Sequence, residues 1–165
     1  MTLLGKARHC VGVLALSNSN VAWCRWTSDA VARAYERAKS VKPMLATTDA
    51  KQNPGGVRLT RREFWDVFTD YTVLHGDSWL SLPLYVFSMF DNTDSGTVDV
   101  LEVFLMVALF SEGEMEDQLR FCFKVFDTDH SGSITIDEML HFFQVLCRAS
   151  FKVLAAAVPA CLRGT

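Results

Sequence analysis

The sequence predicts an all-α protein assembled from helix–loop–helix repeats, with short two-strand bridges joining the loops. Three observations carry this. Two polar, acid-rich segments, Asp91–Glu102 and Asp127–Glu138, start 36 residues apart. Apolar residues at helical spacing flank each segment, at the same offsets on both. A third segment upstream, Gln52–Glu63, keeps the outline of the same unit with Glu63 as its one acid.

The flanking stripes are specific. Before the second loop, Leu119, Cys122, Phe123 and Phe126 share a helical face; before the first, Pro83, Val86, Phe87 and Phe90 hold the same offsets. After the loops, Val103, Met106, Val107 and Phe110 match Met139, Phe142, Phe143 and Leu146. Each set has the 3–1–3 spacing of an amphipathic helix.

Upstream, residues 1–27 show no clear period and are expected to be poorly ordered. Lys6 and Arg8 precede the short apolar run Cys10–Leu16, a faint leader-like pattern that Ser17–Asn20 interrupts. Residue 2 is Thr, which rules out myristoylation at the mature terminus. Ser28 or Asp29 is positioned to cap a helix over Ala30–Val41, which Pro43 ends. Asn53-Pro54-Gly55-Gly56 marks a turn. Thr60 and Glu63 form a capping box for a helix from Arg61 to about Val73. Gly76 and Asp77 break it, and Ser81-Leu82-Pro83 starts the next helix. The helix–loop–helix region therefore spans 28–146, with units at about 30–73, 82–110 and 116–146. A C-terminal helix and tail follow at 147–165, and Glu138–Ala157 reads as one continuous helix.

Charge is concentrated. Twelve acids lie between Asp91 and Glu138, opposed only by Arg120 and Lys124, within a chain of net charge −3. An anionic middle excludes nucleic acid, which needs a basic face, and suits a hard cation. The five cysteines are scattered and odd in number, which points to free thiols in a reducing, cytoplasmic setting. No segment reads as a transmembrane span; the apolar stretch Phe142–Val158 carries Arg148 and Lys152. His9, His75, His130 and His141 are isolated, and no nucleophile–base pair or phosphate loop suggests an enzyme.

The loop chemistry is that of calcium. The ion takes six to eight oxygens, and a 12-residue loop supplies them from positions 1, 3, 5, 7, 9 and 12, with Gly at position 6 for the turn. In the second loop Asp127, Asp129 and Ser131 fill positions 1, 3 and 5. Ser133 offers its carbonyl, Thr135 acts through a water, and Glu138 is bidentate; Gly132 is the turn. In the first loop the set is Asp91, Thr93, Ser95, Thr97, Asp99 and Glu102, with Gly96 at the turn. Thr93 brings no charge, so the Asp127 loop is expected to be the stronger site. Val98 and Ile134 occupy position 8, where paired loops form a bridge. In the upstream segment Leu59 falls at position 8 and Glu63 at position 12, but Gln52 and Pro54 stand at positions 1 and 3. That segment is expected to pair through Leu59 and Val98 and to hold no ion.

From about Ala30 to Val145 the chain resembles the four-hand EF-hand calcium sensors of the calcineurin B and neuronal calcium sensor group, and calaxin-like ciliary proteins in style. The carrying residues are Arg58–Phe64, Val86–Asp91, Val100–Glu102 and Phe121–Asp127. The resemblance implies a degenerate first hand at Gln52–Glu63 and second and third hands at Asp91 and Asp127. It also admits a cilium or flagellum as location. The sequence departs from the pattern after Leu146, where a fourth acidic loop would stand; a truncated isoform or a gene-model error would each account for this. The expected function is that of a calcium sensor. It would present a groove, drawn from Phe87, Phe90, Met106, Phe110, Phe123, Phe126, Met139 and Phe143, to an amphipathic helix of a target protein. A calcium buffer, or a truncated form with only a structural role, is the alternative. The apolar C-terminal segment is expected to bury itself in cis or to drive homodimerisation.

Overall fold

The computed structural model describes residues 27–46, 56–72, 81–111 and 113–162. Six α-helices and two short strands follow in order: α1 Ser28–Val41, β1 Arg58–Thr60, α2 Arg61–Thr72, α3 Ser81–Phe90, β2 Thr97–Asp99, α4 Val100–Phe110, α5 Met115–Phe126 and α6 Ile136–Leu162. A 3₁₀ turn, Pro43–Ala46, closes α1. The expectations for residues 1–26, and for the break at Gly76 and Asp77, lie outside the described residues.

Local chemistry sets the boundaries. The cap of α1 is Thr27, one residue before the expected Ser28 or Asp29: its hydroxyl accepts from the Ala30 N–H at 3.3 Å. The capping box of α2 is formed in full. Glu63 Oε2 accepts from the Thr60 N–H at 2.8 Å and from its hydroxyl at 2.9 Å, and the Glu63 N–H donates back to Thr60 Oγ1 at 3.3 Å. Lys42 then pairs with the other Glu63 oxygen at 2.7 Å, tying the end of α1 to the start of α2.

The degenerate segment pairs with the first loop. Strands β1 and β2 are antiparallel with Leu59 opposite Val98, and both side chains are buried. Ile134, the corresponding residue of the second loop, stands in no strand and only partly packs on the core.

One core joins all of this. A chain of rings runs through it: Phe87 of α3, Phe64 and Phe68 of α2, Phe104 of α4, Tyr35 of α1 and Phe121 of α5, with successive centroids 4.4–5.6 Å apart. Helix α4 is the hub. Residues 100–108 are buried on every face, whereas the sequence pattern predicted a single apolar stripe. A helix apolar all round belongs inside, and α1, α3, α5 and α6 all pack against α4. Gln118 is buried here too; its amide donates to the Ser111 carbonyl at 2.7 Å and so closes the α4–α5 link. Burial pushes the Cys122 thiol up to about 11, leaving it a small hydrophobe in the core.

Helix α6 is 27 residues long and lies back across α3 and α4. Its buried stripe is Val145, Ala149 and Val153, rotated from the predicted Met139–Phe142–Phe143–Leu146 set. Met139 and Phe143 are exposed instead, as are Leu119 and Phe123 on α5. Of the eight predicted groove residues, Phe87, Phe90, Met106 and Phe126 are core, Phe110 is half-buried, and Phe123, Met139 and Phe143 face solvent. By length and mean hydropathy, Ile136–Ala156 meets the measure of a membrane span. Only 17% of that stretch is buried, and its Glu138, Arg148 and Lys152 have polar partners inside the protein.

Candidate metal centres

The second loop begins where α5 stops. The Asp127 N–H still donates to the Phe123 carbonyl at 2.8 Å, and the chain then turns through His130 at φ 55° and Gly132 at φ 77°. The left-handed backbone at position 6 is where only glycine is free of strain. That turn points the loop amides at Asp127: Oδ1 accepts from the Ser131 N–H and Oδ2 from the Gly132 N–H, both at 3.0 Å. Asp129 Oδ1 accepts a second bond from the Ser131 N–H at 3.1 Å, and the Ser131 hydroxyl donates to the Ser133 carbonyl at 3.0 Å.

Glu138 closes the loop end to end. Its Oε1 accepts from the Thr128 N–H and hydroxyl at 3.0 and 2.8 Å. Its Oε2 accepts from the Thr135 N–H and hydroxyl at 3.0 and 2.9 Å. The Thr135 amide first, with the Thr128 and Thr135 hydroxyls, holds the Glu138 carboxyl down at about 2, against 4.5 for an ordinary glutamate. The sign follows. A depressed carboxyl pKa stabilises the fold above pH 4.5 and loses that contribution as the pH falls from there toward 2. The calcium-free chain is therefore expected to lose unfolding free energy across that window, and Glu138→Gln to flatten the loss; urea titrations at stepped pH read both.

Ligand oxygens of Asp127, Asp129 and Glu138 all lie within 4.8 Å of one another. Two oxygens bonded to one calcium at about 2.4 Å can be at most about 4.8 Å apart, so this set fits the ion. Among the described residues it is the one such carboxylate, His or Cys group.

The first loop copies the opening of the second. Asp94 and Gly96 take φ of 50° and 74°. Asp91 Oδ1 accepts from the Ser95 N–H and hydroxyl at 2.8 and 2.9 Å, and Oδ2 from the Gly96 N–H at 2.8 Å. The Ser95 hydroxyl lies 3.0 Å from the Thr97 carbonyl, and Thr93 is exposed. The second half differs. Asp99 Oδ1 caps α4, accepting from the Leu101 and Glu102 N–H groups at 2.9 and 3.3 Å. Burial, then the Glu102 charge, pushes the Asp99 carboxyl upward. A Cβ at Gly56 would clash with that carboxylate, so the glycine (φ 66°) lets β1 approach it. Glu102 is buried and ion-paired: Arg148 Nε lies 2.9 Å from Oε1 and Lys152 Nζ 2.7 Å from Oε2.

Sequence reasoning missed three cations at this loop, Arg58, Arg148 and Lys152, and the clasp residue Thr128. One signal was present for two of them. Arg148 and Lys152 stand at i, i+4 inside an apolar helical run, and cations buried there need a counter-charge.

The helix–loop–helix units, the β1–β2 bridge and the two position-matched loops define a cation-binding protein of the EF-hand class. Residues 84–144 match the family model of the EF-hand domain pair, so the chain carries an EF-hand pair whose ion is calcium. It is 33% identical to a guanylyl cyclase inhibitory protein of Lithobates pipiens over 97 residues, 59% of this chain and 46% of that one. It is 39% identical to human calaxin over 59 residues, 36% and 28% of the two chains. Against a calcium and calcium/calmodulin-dependent serine/threonine-protein kinase of Pisum sativum it is 39% identical over 124 residues, 68% of this chain but 23% of the kinase. The chain spans less than half the length of these curated relatives. No solved structure matches it.

Proposed function

We propose that the chain is a calcium-responsive regulator rather than an enzyme, and that the ion at the Asp127 loop controls an apolar surface made by α5 and α6. Asp127, Asp129, Ser131 and Glu138 bind through side chains, Ser133 through its carbonyl and Thr135 through a water. Asp91, Thr93, Ser95, Thr97, Asp99 and Glu102 form the second, weaker set. The observation that carries the reading is where the carboxylate cluster stands. Asp127 ends α5 and Glu138 lies in the first turn of α6, and those two helices expose Leu119, Phe123, Met139 and Phe143. An ion that takes Glu138 from Thr128 and Thr135 resets α6 against α5 and changes the shape of that surface. An amphipathic helix of a target protein suits it, since its apolar residues sit at i and i+4 on both walls. The names of the relatives support regulation by calcium. Cys122 and Cys147, both free thiols, fit a reducing, cytoplasmic setting.

Calorimetric titration tests the site. Its dissociation constant should fall in the sensor range of about 10⁻⁷–10⁻⁵ M. Outer-shell partners alone are worth about 10–100-fold in metal affinity, so Glu138→Gln, which removes a direct ligand, should weaken this site by at least that much. An unchanged isotherm for Glu138→Gln rejects the assignment. A calcium-dependent change in the fluorescence of an apolar dye separates sensor from buffer: a buffer fills with no change.

A further inference from the structure

Both loops begin alike, yet their position-12 glutamates serve different partners. Glu138 is held by the neutral N–H and hydroxyl groups of Thr128 and Thr135, donors of its own loop. Glu102 is held by two cations from another element: Arg148 Nε donates to Oε1, and Lys152 Nζ faces Oε2 as an ion pair outside hydrogen-bond geometry. The element is α6, the exit helix of the other loop. Ten residues beyond Glu138, about 15 Å along the helix, it reaches the first hand with Arg148 and, one turn later, Lys152.

A third cation sits on the same loop. Arg58 Nε donates to Thr97 Oγ1 at 2.8 Å, and its Nη2 donates to the Thr97 carbonyl at 2.8 Å and to Ser95 Oγ at 3.2 Å. Positions 5, 7 and 12, three of the oxygen sources a calcium ion needs, are thus engaged by side-chain cations of the chain itself.

We propose that Arg148 and Lys152 latch α6 onto the first hand by occupying Glu102, so that calcium at the Asp91 loop and the docked α6 compete for one carboxylate. The latch carries the charge balance. Glu102 is 3% exposed, and a buried carboxylate without a counter-charge is strongly destabilising. Two unit charges on α6 neutralise it now; a dication is the natural replacement. When Glu102 turns to the ion, Arg148 and Lys152 lose their partner, while Lys152 is mostly buried and stands between the docked residues Ala149 and Val153. The docked face of α6 is then left with Lys152 unpaired against the apolar α3 and α4, and α6 leaves. Coupling of this kind is reciprocal: what holds α6 down weakens calcium, and calcium loosens α6.

This inference rests on the reading that the Asp91 loop takes calcium, and the experiment keeps the two apart. Calcium is titrated into the full chain carrying Glu138→Gln, which silences the Asp127 site, and into the same chain with R148Q and K152Q added. Glutamine keeps the helix and removes the charge. The expected result is a rise in calcium affinity of about tenfold or more, within the 5–150-fold span of ordinary coupling. Equal affinity in the two chains overturns the latch while the loop remains a site. No binding in the latch-free chain overturns both. A second measurement leaves the latch unmutated, in case its removal unfolds the chain. In the Glu138→Gln protein, saturating calcium should quicken amide hydrogen exchange across residues 145–156. Unchanged protection in a filled loop overturns the coupling.

Discussion

Truncation after Leu146 should cost about 3–5 kcal/mol of unfolding free energy and promote aggregation. The cut removes Ala149 and Val153, both buried, and with them the cover over α3 and α4. It also removes Arg148 and Lys152, leaving Glu102 buried with its two counter-charges gone. The charge term is the larger. Burial of an alanine and a valine is worth about 1–3 kcal/mol together, whereas stranding one partner of a buried pair costs about 3–5 kcal/mol. Water reaching Glu102 through the vacated surface relieves part of the second, which keeps the total near one term rather than the sum. Urea unfolding of the full and truncated chains, with size-exclusion chromatography, measures both effects. Equal midpoints and a monomeric truncated chain would show that residues 147–165 are a dispensable tail. Glu102→Gln in the truncated chain adds an internal control: removing the stranded charge should recover part of the loss.

What the sequence made legible follows from how local each feature is. The capping box Thr60–Glu63, the helix start at Ser81 and the glycines at loop position 6 are set by neighbours within a few residues, and the structure has each of them. The Leu59–Val98 pair spans 39 positions, yet position 8 of a repeat fixes the register once the repeat is seen. The ion pairs on Glu102 have no such rule. Arg148 and Lys152 are visible as two cations in an apolar helix, but nothing in a periodic pattern says which of many acids they meet, 46 and 50 residues away. The stripes failed for a related reason. Met139 and Phe143 fall on the stripe that the repeat predicts, while α6 turns Val145, Ala149 and Val153 to the core instead. Which face a helix buries depends on what lies beside it. For α6 that neighbour is the first hand.

Phe104→Ala should cost about 3–5 kcal/mol, the range for a buried phenylalanine whose site cannot collapse. Phe104 is fully buried at the centre of α4 and stands in the middle of the ring chain. Its edge meets Tyr35 of α1 at 5.2 Å and 75°, and its face stacks on Phe68 of α2 at 5.4 Å and 24°. Helices α1 and α2 flank the upstream unit that ends in β1; α4 leaves the Asp91 loop. Loss of this one ring therefore opens a void between the upstream unit and the unit that carries the Asp91 loop. Relaxation into the void is restricted, because Tyr35 is also pinned by Phe121 on its other side and Phe68 by Phe64. Burial first, then the Glu36 charge, pushes the Tyr35 hydroxyl up to about 12. The void should admit water and bring the Tyr35 titration back toward 10, which ultraviolet difference absorbance follows independently of stability. If the two hands were separate folding units that merely touch, Phe104→Ala would leave α1 and α2 melting at their own temperature, and the thermal transition would split in two. A single transition, shifted down as a whole, is the expected result: the ring chain makes the upstream unit part of the calcium-binding fold, and its loss weakens every unit at once.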